Sequence, residues 1–140
     1  MQGQLQQKAQ KLAASEAARL REATRNLRPT IIIDTTNTPL PSNQTNLWIT
    51  IGEGILTNSM PYSHMQKWVT ISHVISYTFH LEVSAEWDPV LTELQLRSAE
   101  LLFEFGCYMM SIANAKEVLK RHPENARALR VDKDVRALSQ

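Results

Sequence analysis

Two hydrophobic periods alternate along this chain, and the change from one to the other divides it into stretches. In residues 2–28, Leu5, Ala9, Leu12, Leu20, Ala23 and Leu27 fall on one narrow stripe at about 100° per residue, with Lys8, Lys11, Arg19, Arg25 and Arg28 opposite. The stretch is rich in Gln, Ala, Leu, Lys, Arg and Glu and contains no proline, so it predicts a helix over 2–28. Pro29 ends it, because the residue before a proline is pushed out of the α region. Glu16 interrupts the stripe, which is thin and Ala-rich. Such a helix buries little by itself and is expected to project as an arm or to dock on another copy.

The middle of the chain reads as strand. Ile31, Ile32 and Ile33 are a β-branched run within Thr30 to Thr36, and residues 46–51 alternate Leu47, Ile49 and Ile51 with Trp48 and Thr50. Residues 37–44 and 57–63 read as loops around their prolines, and Gly52-Glu53-Gly54 reads as a turn. Residues 69–83 show the clearest alternation: Val69, Ile71, His73, Ile75, Tyr77, Phe79, Leu81 and Val83 recur at period two, which places them on one face of a long, bent strand.

Helical spacing returns at Asp88-Pro89, a helix start with Asp88 as the cap. Leu91, Leu94, Leu101, Leu102, Phe105, Met109, Ile112 and Leu119 carry one long helix, or two collinear ones kinked at Gly106, as far as His122-Pro123. Residues 124–138 predict a last helix with Ala128, Val131, Val135 and Leu138 on one side. The expected fold is therefore α+β: an N-terminal helical arm (1–28) and a single domain (29–140) in which two C-terminal helices cover a small antiparallel sheet.

Charge sharpens this picture. The net +1 conceals +4 over residues 1–28, −6 over 29–104 and +3 over 105–140. A basic head and tail around an acidic middle favour association, either between copies or with a polyanion. No apolar signal core opens the chain, and no stretch approaches the roughly 18 apolar residues of a membrane span. A cytoplasmic or otherwise intracellular protein is expected, and the single cysteine, Cys107, fits a reducing compartment.

Candidate chemistry is sparse. His73 on the apolar face reads as a core histidine, and Cys107, in mid-helix without a local motif, as a buried small hydrophobe. His73 and His80 face apart on an unbroken strand and do not build a metal site. Gly52-Glu53-Gly54 lacks the third glycine and the Lys-Ser/Thr of nucleotide loops. Arg97 among Glu93, Glu100 and Glu104 suggests salt bridges rather than paired catalytic carboxylates. Arg127, Arg130, Lys133 and Arg136 form a cationic ridge that can follow a phosphate backbone, or that is simply solvated beside Asp132 and Asp134. Aromatic residues for base stacking are absent from both basic helices.

Lys120–Leu129, with Gly106 before it, resembles the junction between tetratricopeptide repeats. The spacing from Gly106 to Pro123 is too short for that repeat and no second copy exists, so the assignment is not adopted.

These readings converge on a non-enzymatic coat, matrix or scaffold type of protein that self-associates through Leu5, Leu12, Leu20 and Leu27, with no cofactor, metal or small-molecule substrate implied. The alternative is nucleic-acid packaging through Arg19, Arg25, Arg28, Arg127, Arg130, Lys133 and Arg136, with RNA or another polyanion as partner.

Overall fold

The computed structural model describes residues 2–30, 44–57 and 63–138. Among them the secondary structure is helical throughout: α1 (Gln2–Thr24), α2 (Gln44–Thr57), α3 (His64–Tyr77), α4 (Trp87–Glu104), α5 (Tyr108–Arg121) and α6 (Ala126–Leu138). This overturns the α+β expectation, since the described residues contain no strand and no sheet. The expected strand at Ile31–Ile33 and most of the loops at 37–44 and 57–63 lie outside the described residues, while Gln44 and Thr57 belong to α2.

Of the two segments read as strands, 46–51 lies within α2, and 69–83 is helix as far as Tyr77 and turn or irregular beyond it. Within α3 the buried positions are Thr70, Ile71 and Val74, followed by Thr78 at the helix end. That spacing is helical, and two of its members are threonines that a period-two reading places outside. Their hydroxyls are satisfied locally, Thr70 Oγ1 donating to Gln66 O at 3.1 Å and Thr78 Oγ1 to Val74 O at 2.7 Å. A threonine bonded this way carries no unmet polar group into a helical core. The helix also has a start signal: Ser63 accepts from the Gln66 N–H at 3.1 Å. Ser63-His64-Met65-Gln66 is an S-x-x-Q capping sequence, where the sequence reading saw only loop. The β-branched residues cost a helix only a few tenths of a kcal/mol each, roughly, so packing decides.

Contacts divide the chain into two units. The first comprises Met1–Asn26 with Gln95–Gln140, the second Leu27–Leu94, and α4 contributes to both.

In the second unit α2 and α3 pack together and α2 lies against the first turns of α4. Gly52 is part of α2 and not of a turn; a methyl group there would stand 2.5 Å from Val90 Cγ1 and 3.4 Å from Leu94 Cδ1. Glycine at this position therefore sets the close approach of α2 to α4. Ile51, Ile71, Val74, Trp87, Val90, Leu91 and Leu94 are buried. The segment before the undescribed stretch is tied to α3, with the Thr30 N–H donating to Thr70 Oγ1 at 3.1 Å and Gln66 Nε2 donating to Arg28 O. α4 starts at Trp87, one residue before the expected cap Asp88, and Ser84 Oγ accepts the Trp87 N–H at 3.1 Å. Asp88 instead accepts from Thr92 Oγ1 at 3.1 Å.

In the first unit the core joins α4, α5 and α6: Leu96 and Ala99, Ile112, Ala115 and Val118, and Ala128, Val131 and Val135. Burying each Val, Leu or Ile here contributes about 1.5–3 kcal/mol. α4 and α5 are not collinear. At the break Gly106 has φ +78°, the Gly106 N–H bonds to Phe103 O at 3.0 Å and the Cys107 N–H to Leu102 O at 2.8 Å. This pattern of bonds is a Schellman motif, and it needs the left-handed residue that glycine supplies. The chain then reverses, Ser111 Oγ donating to Ala99 O at 2.6 Å across the two helices. A second reversal over His122–Asn125 brings α6 back along α5, with Asn125 Oδ1 accepting the Ala128 N–H at 3.0 Å. Ala128, Val131 and Val135 face inward as expected, whereas Leu138 is exposed.

Candidate functional site

The first helix is where sequence and structure differ most in meaning. It ends at Thr24, not at residue 28, with Thr24 Oγ1 donating to Leu20 O at 2.8 Å. The four leucines read as one face consequently occupy different surroundings. Leu20 is buried, Leu12 is 50% exposed, and Leu27 lies beyond the helix in the second unit, half-buried. The side chain of Leu5 lies outside the described residues.

Glu16, which interrupts the stripe, is what fastens the helix. It is 1% exposed, and its Oε1 accepts the Met109 N–H at 3.0 Å and the Met110 N–H at 3.1 Å, with Oε2 also 3.1 Å from the Met109 nitrogen. These are the second and third residues of α5, whose own N-cap residue, Cys107, makes no side-chain cap bond. A carboxylate at this point satisfies orphan N–H groups and meets the positive end of the helix dipole. One turn further along α1, Arg19 donates to Gly106 O at 3.5 Å. Glu16 and Arg19 thus both bond to backbone at the α4–α5 junction, and Leu20, the next residue of α1, is buried.

Before Ala13, the described side chains of α1 are exposed: Gln7, Lys8, Gln10, Lys11 and Leu12. The helix is held at one end and displays the other.

The cationic residues are largely engaged within the molecule. On α6, Arg127 pairs with Glu100 at 2.6 Å, Arg136 with Asp132 at 3.0 Å and Arg130 with Asp134 at 4.0 Å, while Lys133 is exposed. On α1, Arg25 pairs with Glu22 at 3.5 Å, and Arg28, past the helix end, donates to Leu27 O at 3.1 Å. Glu100 on α4 is thus paired with a cation on α6.

Burial first, and then the Glu16 carboxylate, push the Cys107 thiol above its ordinary range, with Arg19 pulling the other way. A thiol held protonated is a poor nucleophile. His73 lies on α3 with its ring centroid 4.3 Å from that of Tyr77, and His80 is exposed in the turn after α3. Among the described residues no three His, Cys, Asp or Glu side chains form a metal-holding group. No helix among them is long and apolar enough to cross a membrane.

Comparison with protein-family models, with curated proteins and with solved structures finds no match to this chain.

Proposed function

We propose that this is a non-enzymatic structural protein that self-associates through the part of α1 before Ala13, whose described side chains are exposed, in the manner of a coat, matrix or scaffold component. The observation that carries this reading is the contrast along a single helix: Glu16 and Leu20 are buried against their own unit while Leu12, one turn before Glu16, stays half exposed beside Lys8 and Lys11. A helix fixed at one end presents a pre-formed surface, and a partner that binds it is spared much of the ordering entropy. Segregated charge adds to the case. The first unit carries thirteen Lys/Arg against eight Asp/Glu and the second two against six, giving +5 and −4. Copies of such a chain attract one another in one orientation.

The test is the mass in solution of the wild type and of Leu12→Asp at low and moderate salt. Association above the 15.9 kDa chain mass, lost in the variant, supports the reading. A wild-type monomer at every concentration removes it. The phosphate-binding alternative is weakened by the carboxylates on Arg127, Arg130 and Arg136. RNA binding with a steep salt dependence, abolished when these three and Lys133 become Gln, would put it in place of self-association.

A further inference from the structure

Among the described residues, the large exposed apolar side chains of the second unit lie at the end of α3 and in the segment that follows it. Phe79 is 91% exposed, Tyr77 58% and Val83 44%. The turn is shaped by its own backbone, the Phe79 N–H bonding to Ser76 O at 3.4 Å, the Leu81 N–H to Thr78 O at 2.9 Å and the Ser84 N–H to Glu82 O at 3.0 Å. The Tyr77 ring is braced by His73, and its centroid lies 6.4 Å from that of Trp48. Single exposed apolar residues are common, but three large ones within seven positions offer apolar surface for a partner to cover. The charged side chains around them include Glu82 and Glu86, both exposed, in the unit whose balance is acidic.

The part of α1 before Ala13 has the complementary character: Leu12 flanked by Lys8 and Lys11, on the unit whose balance is basic. We propose that the Tyr77–Val83 turn of one copy receives the Lys8–Leu12 segment of α1 from a second copy. This rests on the self-association reading and adds the receiving surface. Leu12 packs among Tyr77, Phe79 and Val83, and the two lysines meet Glu82 and Glu86. The giving and receiving surfaces differ, so the contact is heterologous. Each added copy brings one free arm and one free turn, and growth continues until a ring closes or a filament forms.

Complementation between two blocked variants tests this. Lys11→Glu/Leu12→Asp blocks the arm alone, and Phe79→Asp/Val83→Asp blocks the turn alone; all four side chains are exposed, so circular dichroism should match the wild type. In sedimentation the wild type should exceed the chain mass and each variant alone should run at 15.9 kDa. Their equimolar mixture should form a 1:1 complex of twice that mass and nothing larger, because one working arm and one working turn remain. A turn variant that assembles like the wild type overturns this receiving surface and leaves the arm reading standing. An arm variant that assembles, or a monomeric wild type, overturns both. Two monomeric variants that ignore each other overturn the pairing of these two surfaces.

Discussion

The carboxylate of Glu16 holds the backbone N–H of Met109 within 3.0 and 3.1 Å of its two oxygens, closing the start of α5 from a helix more than ninety residues earlier in the chain. A cap is usually local, supplied by the residue just before the helix. Here the cap position falls to Cys107, whose side chain makes no such bond, and a tertiary contact replaces it. The folding of α5 and the docking of α1 are therefore linked through one side chain.

Glu16→Ala removes that link. It leaves two backbone donors without their acceptor, and should cost about 2 kcal/mol, lowering the melting temperature by about 5–8 °C. Glu16→Gln keeps one acceptor oxygen and should lose about half as much. Circular dichroism melts measure both, and an alanine variant melting within about 1 °C of the wild type would show that the cap contributes nothing.

Three glycines should respond to alanine in different ways. Gly54→Ala meets open space within a helix and should stabilise by about 0.5–1 kcal/mol. Gly52→Ala forces a methyl group against Val90 and should destabilise by about 1–3 kcal/mol. Gly106→Ala must hold a positive φ and should cost about 1 kcal/mol. Trp48, Trp68 and Trp87, the chain's three tryptophans, all lie in the second unit, so denaturant titrations read by fluorescence follow the two substitutions in α2. Equal effects at Gly52 and Gly54 would contradict the close approach of α2 to α4.

Cys107 should resist alkylation in the folded protein and react at an ordinary rate once unfolded. Its thiol is held above the ordinary range, chiefly by burial. The folded state therefore keeps its proton to higher pH than the unfolded state does. The sign follows from linkage: the stabilisation is full below the unfolded-state thiol value and is lost as pH rises through the folded-state value. The stability of the wild type relative to Cys107→Ala should accordingly fall as the solution becomes alkaline. A difference that stays constant, or grows, across that range would contradict this placement of the thiol.

The parts of the fold legible in the sequence were those with strong punctuation. The break at His122–Asn125 separates α5 from α6, and Ala128, Val131 and Val135 share the buried side of α6 as their spacing implies, whereas α1 stops at Thr24, short of Pro29, and Gly106 marks a reversal instead of a kink between collinear helices. The middle was misread because alternating β-branched residues resemble a strand, whereas Thr70 and Thr78 are buried and bonded to their own helix. The S-x-x-Q sequence at Ser63 was the available signal for α3. In the candidate site, Leu12 is exposed but Leu20 is buried and Leu27 lies beyond the helix, so the stripe does not form one surface, and the role of Glu16 was not legible. A carboxylate on an apolar stripe reads as a flaw until the helix end that it caps is brought beside it by the fold.

That role also decides how the arm can be tested. Removing residues 1–28 would take Glu16 and Leu20 with it and uncap α5, so loss of assembly would then report damage to the unit. A truncation that stops at Leu12 removes the contact residue and leaves the anchor in place. The most direct measurement is the mass by sedimentation equilibrium of the full chain and of the chain lacking residues 1–12, at matched concentrations and with helix content checked for each. The full chain should exceed 15.9 kDa, and the truncated chain should keep its fold and sediment as a monomer. A full chain that is monomeric throughout, or a truncated chain that assembles as well as the full one, would contradict the proposal that α1 joins one copy to the next.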